Sequence, residues 1–329
     1  MIKYTVSAEE KLNLQNVLLE VKTNPYNDYL EFKQSISGLI AEGLIPNDLH
    51  CFINDSRVHC QKQYPFVFIE GMPLDPILPY FSNEDPVREK RELKTTFVSE
   101  GILELFAQIR NEKPIGYLNV NDGDVFQDIF PKKDLFASQS QKALNEIYFH
   151  KDLANHFVRP DWVNLLCLRN DIENMITTCF TKNVDVLSAF SSEEKSELSK
   201  PQFHTPYDDL STYKSQVELG EADMHPILTD ENEVDIRFFE NRTTSNTDVG
   251  LQLIKKVTTL LHEHKICVHL RPGDLFATQN NNSLHCKEIV SLKNHALAKK
   301  RWIMKTVNVN DYNRVSEYAV ENKEYLIHG

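Results

Sequence analysis

The chain places apolar residues at helical spacing in three stretches and runs or alternates them in several others. Residues 7 to 43 carry Leu and Ile at helical intervals, and Ser7 followed by "AEE" marks a start, so helix is expected there. Residues 99 to 112, "SEGILELFAQIRNE", put Ile102, Leu103, Leu105, Phe106 and Ile109 on an amphipathic helix behind a serine cap. Residues 248 to 264 form the clearest helix, with Val249, Leu253, Ile254, Val257, Leu260 and Leu261 in one stripe. Strands are expected in "YPFVFIEGMP" (64 to 73), "WVNLLCLRN" (162 to 170) and "RWIMKTVNV" (301 to 309). "KICVHLRPGDLFATQ" (265 to 279) reads as two short strands around a Pro272-Gly273 turn.

No linker or internal repeat divides this pattern, so a single domain over residues 1 to 329 is expected. It comprises a helical region (1 to 60) and a strand-rich core with flanking helices (64 to 310). A polar, irregular insertion at about 183 to 235 has the character of a lid or binding loop.

Composition narrows the function. With 41% hydrophobic and 26% charged residues, the chain is that of a globular protein. No apolar run is long enough to span a bilayer, and "MIKYTVSAEEKLNLQ" lacks the apolar core of a signal peptide, so a cytoplasmic location is expected. The six cysteines form no C-x-x-C pair, which suggests thiols in a reducing compartment rather than a zinc ribbon. A net charge of −12 argues against nucleic acid as the main partner and is only weakly compatible with a small cationic ligand, since most acidic surfaces simply keep proteins soluble.

The candidate chemistry begins at "EIYFHKDLANHF" (146 to 157). His150 and Asp152 stand two residues apart at the end of an apolar run and share one face if the strand continues. An H-x-D triplet alone is more often a solvated strand end. A second histidine, His285 in "GDLFATQNNNSLHCKE", also follows an apolar strand. Two histidines and a carboxylate can occupy one face of an octahedral iron(II) and leave the other positions open. A zinc hydrolase could use similar ligands, so the triad alone leaves the metal open. Arg301 opens the apolar strand "RWIMKT", where a guanidinium needs a carboxylate partner, from the protein or from a ligand. "HEH" at 262 to 264 ends a helix, where residues two apart do not face each other. His204 and His225 are expected to be solvated in the insertion, His295 to lie on a helix surface, and Trp302 to pack in the core.

Taken together these segments resemble the clavaminate synthase-like branch of the iron(II)/2-oxoglutarate-dependent oxygenases, which includes hydroxylases of free amino acids. "FHKDLANH" is similar to that branch's "FHTExxxH", "VRPDWVNLLCLRND" to its "RPDYxxLLCLRN", and "VDIRFFENRTT" to its "xxRFDxDxxT". "GDLFATQNNNSLHCKE" followed by "KKRWIMKT" is similar to "GDLxxxDNxxxxHxR" followed by "RWLxR". The resemblance covers roughly residues 64 to 310.

It implies a mixed α+β fold with a double-stranded β-helix (jelly-roll) core, and Fe(II), 2-oxoglutarate and O2 as reactants. By position, His150, Asp152 and His285 would ligate iron, and Arg301 would hold the distal carboxylate of 2-oxoglutarate. One of Thr177 and Thr178, with Thr178 favoured, would add a hydroxyl to that carboxylate. Ser140, Glu146 and Lys305 would fix the α-groups of a free L-amino acid. A cationic side chain would need an acid, for which Asp208, Asp209, Asp235 and Glu240 are available.

Two departures matter. Asp152 stands where close relatives have Glu; keeping a carboxylate argues against a halogenase. Lys305 replaces the second Arg of "RWxxR", and the interval from His285 to Arg301 is slightly longer than in the arginine and asparagine enzymes. Both suggest the lysine hydroxylases, making L-lysine the first expected substrate, with arginine or ornithine behind it. A same-fold oxygenase of a non-amino-acid or carrier-tethered substrate is one rival. A zinc-dependent or non-catalytic barrel is the other. A homo-oligomer is compatible with the sequence.

Overall fold

A computed structural model of the chain describes residues 1–60, 63–207, 222–230 and 232–328. In chain order its strands are β1 (Ile2–Thr5), β2 (Phe66–Glu70), β3 (Lys113–Tyr117), β4 (Gln127–Ile129), β5 (Ile147–His150), β6 (Trp162–Arg169), β7 (Asn174–Lys182) and β8 (Phe203–His204). There follow β9 (Met224–His225), β10 (Thr244–Ser245), β11 (Ile266–Val268), β12 (Leu275–Gln279), β13 (Ser283–Leu292), β14 (Trp302–Val309), β15 (Ala319–Val320) and β16 (Lys323–Ile327). One sheet runs β1-β2-β12-β6-β14-β3-β16-β15, with β4 also on β14; a second runs β11-β7-β13-β5. A three-stranded sheet, β10-β8-β9, stands apart.

The two main sheets meet through aromatic rings. Phe180 of β7 lies 4.1 Å from Phe66 of β2 and 4.8 Å from Phe276 of β12, centroid to centroid. On the far face of the large sheet, Val67, Ile69, Leu166, Leu275, Trp302 and Met304 pack in one cluster with Phe106, Ile102, Leu18 and Ile36 of the helical layer. Central strands buried on both faces explain why "FVFIE" and "WVNLLCLR" read as continuous apolar runs without alternation.

The N-terminal helical expectation resolves into Ala8–Leu19 and Tyr29–Ala41, with Pro25 in the connection between them. Ser7 and Glu10 form a capping box on the first. The helix expected over 99 to 112 runs Val98–Ile109, and its cap differs from expectation. Ser99 lies inside the helix, and the buried carboxylate of Asp75 accepts from the Val98 and Ser99 amides at 3.0 and 3.1 Å. A distant residue satisfies these amides, and no local pattern signals that. The insertion is not wholly irregular: helices Asn183–Leu187 and Ser192–Leu198 lie in its described part.

Two expectations about histidine and cysteine are corrected. His225 is buried, with its Nε2 2.8 Å from Thr205 Oγ1. Cys179 of β7 and Cys267 of β11 lie in register and form a disulfide, whereas Cys51, Cys60, Cys167 and Cys286 are free. The pairing is a consequence of strand register across 88 residues, which the spacing of cysteines does not encode.

The Pro272-Gly273 turn is present, but it links strands of different sheets: β11 pairs with β7, and β12 with β2 and β6. Gly273 adopts φ +92°, and a Cβ there would lie 2.6 Å from the Met72 carbonyl oxygen. Its own carbonyl accepts from Met72 N at 2.8 Å, and its amide donates to Cys167 O at 2.8 Å. Gly273→Ala is therefore expected to lower stability by about 1–3 kcal/mol, through the left-handed backbone and the clash. Urea unfolding checks this; an unchanged midpoint would contradict it.

Candidate metal centre

The site is assembled by strand register. β13 pairs antiparallel with β5, placing His285 directly opposite His150, and pairs on its other edge with β7, placing Lys287 opposite Thr178. Directly opposed residues point to the same face of a sheet. The imidazole centroids accordingly stand 4.4 Å apart. Asp152 lies just beyond the end of β5, and a reciprocal pair of hydrogen bonds holds its backbone. Asp152 N donates to Asn280 Oδ1 at 3.0 Å, and Asn280 Nδ2 donates to Asp152 O at 3.1 Å and Pro160 O at 3.0 Å. The next residue, Leu153, takes the left-handed conformation with φ 55° and turns the chain away.

One Asp152 oxygen, Oδ1, is 3.4 Å from His150 Nε2 and 3.7 Å from His285 Nε2. His150 Nδ1 lies 2.8 Å from the Tyr148 carbonyl, an acceptor only, so Nδ1 carries the proton and Nε2 presents a lone pair. Burial opposes ionisation of Asp152, but Lys305, 3.1 Å from Oδ2, and the two imidazoles hold its carboxyl well below the usual carboxylate range. Burial, aided by His150, pulls His285 below its ordinary value and favours the neutral ring. An ionised carboxylate and a neutral His285 ring are protonation states that a divalent ion requires. The separations are near the roughly 3 Å edge of adjacent ligands on such an ion. The residues fit a mononuclear metal.

Two cavities share this centre. The larger, about 690 Å³, is lined by Gln127, Gln139, Ser140, Asn155, Tyr207 and Phe239 among others, with His150, Asp152 and Lys305 at its end. The second, about 470 Å³, extends from the same three residues and His285 between the sheets, past Val163, Leu165, Thr178 and Ile303, to Arg301 and Lys287. Alternation along β14 explains its wall. Arg301, Ile303 and Lys305 face the cavity, whereas Trp302 and Met304 face the helical layer, where Trp302 Nε1 donates to Asp128 at 3.0 Å.

The guanidinium of Arg301 is buried, and no carboxylate pairs with it among the described residues; its Nε lacks an acceptor. Burial pulls it below its ordinary value, though a guanidinium stays charged. Lys287 donates to Ala143 O at 2.8 Å. Burial and the nearby Arg301 lower its ammonium to about 7. Lys287 was not among the residues expected at the site. Its signal was available: two residues after His285 on a strand, it must share that histidine's face.

The remaining candidates divide. Thr178 lines the second cavity, while the Thr177 hydroxyl sits 3.5 Å from Cys179 Sγ on the opposite face. Ser140 lines the first cavity. Glu146 is exposed and accepts from Ile289 N at 3.0 Å, outside either lining; β5 begins only at Ile147, so face-sharing along a strand does not extend to it. Lys305 ion-pairs with Asp152.

Asp235 and Glu240 depart from their expected role as readers of a substrate side chain. Asp235 is buried against Lys151 Nζ at 2.5 Å and the Thr229 hydroxyl. Glu240 accepts from Phe149 N at 3.1 Å and from His262 Nε2 at 2.9 Å. Both carboxylates brace the outer side of the β5 segment, since a buried ammonium and a free strand amide need those acceptors more than the cavity does. Asp208 and Asp209 lie outside the described residues. His150, Asp152 and His285 converge as a group with metal-ligand spacing; His262 and His264 join no such group among the described residues.

Comparison with known proteins agrees with the motif resemblance. Clavaminate synthase 2 of Streptomyces clavuligerus is 21% identical over 317 residues, covering 95% of this chain and 93% of the relative. L-asparagine oxygenase of Streptomyces coelicolor is 25% identical over 61% of this chain and 59% of its own length. L-lysine 3-hydroxylase of Catenulispora acidiphila is 24% identical over 53% of this chain and 49% of its own length. No family model matches the chain.

Among solved structures, asparagine oxygenase in complex with Fe(II), 3-hydroxyasparagine and succinate superposes with a TM-score of 0.82 at 19% identity over 100% of both chains. The non-haem iron oxygenase OrfP, with Fe, succinate and hydroxyarginine, gives 0.84 at 19% identity over 99% of this chain and 100% of that one. The chain is thus related to clavaminate synthase and amino acid oxygenases, and it shares their fold.

His150→Ala, which removes one of three donors, is expected to abolish retention of Fe(II) in anaerobic equilibrium dialysis. Asn280→Ala, which frees the Asp152 backbone, is expected to weaken iron affinity about 10- to 100-fold. Stoichiometric iron in the His150 variant would remove that residue from the ligand set.

Proposed function

We propose that this chain is an iron(II)- and 2-oxoglutarate-dependent oxygenase that hydroxylates an unactivated C–H bond of a free L-amino acid. The observation that carries the reading is the convergence of His150, Asp152 and His285 at one end of a cavity whose other end holds a buried guanidinium that no carboxylate pairs with among the described residues. A zinc-dependent or non-catalytic barrel gives no reason for that guanidinium. We read the two main sheets as the faces of a double-stranded β-helix, and the relatives' fold supports it.

In this reading His150, Asp152 and His285 hold the iron, and Arg301 with Thr178 orients 2-oxoglutarate by its distal carboxylate. Iron bound there supplies the activation of O2 that couples conversion of 2-oxoglutarate to succinate and CO2 with insertion of one oxygen atom into the substrate. The protein's own contribution is orientation and exclusion of water. Val163, Leu165 and Ile303 form the apolar sleeve of the co-substrate cavity. Phe239, stacked 5.1 Å from the His150 ring, closes one flank of the metal centre. The substrate enters the larger cavity, where Ser140 and the end of Lys305 are placed to meet its α-groups. Lys305 then serves two anions, since its ammonium already bonds Asp152.

L-lysine remains the first substrate to try on the motif resemblance. A second reading follows from the cavity itself: among its described lining residues Asp152 is the one carboxylate, and the amides of Gln127, Gln139, Gln141 and Asn155 line it beside Lys151 and Lys305. Gln127 Nε2 is buried without an acceptor. Such a wall suits a neutral polar side chain better than an ammonium.

Aerobic incubation with Fe(II), ascorbate, 2-oxoglutarate and a panel of the twenty amino acids plus ornithine should give a +16 product and matching succinate. A lysine product favours the first reading, and an asparagine or glutamine product the second. Succinate without any amino acid product would overturn the free amino acid assignment; neither succinate nor oxygen uptake would overturn the oxygenase. Arg301→Ala should raise the KM for 2-oxoglutarate roughly 10- to 100-fold. An unchanged KM would refute its assigned role.

A further inference from the structure

The inner end of the co-substrate cavity holds more positive charge than one carboxylate-binding arginine. Lys287 and Arg301 line it together, and they line a smaller adjoining cavity with Gln141, Ala143 and Ile176. Lys287 comes from β13 opposite Thr178; Arg301 immediately precedes β14 in the facing sheet. The two cations and the threonine hydroxyl therefore enter one cavity from both walls. Both basic residues are more than nine-tenths buried. Lys287 has one carbonyl acceptor, and Arg301 Nε has none. The acid whose field reaches Lys287, Glu146, is exposed and already accepts from Ile289 N. Two buried basic groups with no carboxylate bonded to either among the described residues are unfavourable for the ligand-free fold. Such an arrangement is stabilised when an anion bridges the pair.

We propose that Lys287 is a second anchor for the distal carboxylate of 2-oxoglutarate, sharing it with Arg301 and Thr178. This rests on the oxygenase reading and adds a residue to the co-substrate site. The ammonium would take one oxygen of the carboxylate and the guanidinium the other. Lys287 would then contribute to the preference for a 2-oxo diacid over a 2-oxo acid lacking the second carboxylate.

The test is calorimetric binding to the full chain loaded with Zn(II) in place of iron, using 2-oxoglutarate and 2-oxobutyrate, with Lys287→Met and Lys287→Arg. In Lys287→Met, 2-oxoglutarate affinity should fall roughly 10- to 100-fold. The affinities for zinc and for 2-oxobutyrate should change less than about threefold. Lys287→Arg should keep most of the diacid affinity. Thermal melting supplies an independent readout: Lys287→Met should melt higher than wild type without ligand, and gain less from added 2-oxoglutarate.

Unchanged diacid affinity in Lys287→Met would overturn the proposal while leaving the oxygenase reading intact, as would equal losses for both acids. A ligand-free melting point below wild type, or a variant that fails to fold, would mark Lys287 as a structural residue and also overturn it. Wild type that binds zinc but not 2-oxoglutarate would overturn both readings.

Discussion

The alignment of β5 with β13 is the constraint on which the site depends. A sheet has a two-residue period, so a one-residue slip would turn His150 or His285 into the opposite face. Several interactions hold the register. Glu240 and Phe149 exchange bonds along the outer edge of β5, through the Phe149 amide to the carboxylate and the Glu240 amide to the Phe149 carbonyl. Lys151 reaches the other way, into the buried carboxylate of Asp235. Asn280 then fixes Asp152 by its backbone, leaving the carboxylate to turn toward the imidazoles. The residues between and beside the candidate ligands act as structural braces, and their acids are consumed in that task.

The same alternation separates two chemistries across one strand. Along β14, Trp302 and Met304 pack toward the helical layer, while Ile303 and Lys305 face the space between the sheets. The sheet is thus a partition with a helical core behind it and a charged cavity in front. That cavity holds the Asp152–Lys305 ion pair at the end where the candidate ligands converge, and Arg301 and Lys287 at the other. A small dianion would meet the basic pair with one carboxylate and, at the far end, a metal held by the candidate ligands with the other.

Much of this was legible in the chain because strand alternation and linked motifs carry it. The runs around residues 66, 163, 276 and 303 became central strands, and the helix after Thr247 runs Asp248–Glu263, burying Leu253, Val257, Leu260 and Leu261 of its stripe while Val249 stays exposed. The ligand candidates were visible because His150 and His285 each end or open an apolar strand. What escaped was non-local. Asp75 caps a helix from 23 residues away, Cys179 meets Cys267 across 88 residues, and Asp235 is claimed by Lys151 across 84. A sequence offers an acid as available; only the fold shows whether a buried cation has taken it. Lys287 was missed for the opposite reason, since a lysine beside a candidate ligand reads as surface until its strand is known to be interior.

The central claim is that these three side chains bind one metal ion that retains positions for the co-substrate. X-ray absorption at the iron edge of the anaerobically loaded protein tests it most directly. The account predicts a six-coordinate nitrogen and oxygen shell with two imidazole signatures, changed when 2-oxoglutarate displaces water. A shell containing sulfur, or one indifferent to 2-oxoglutarate, would contradict it.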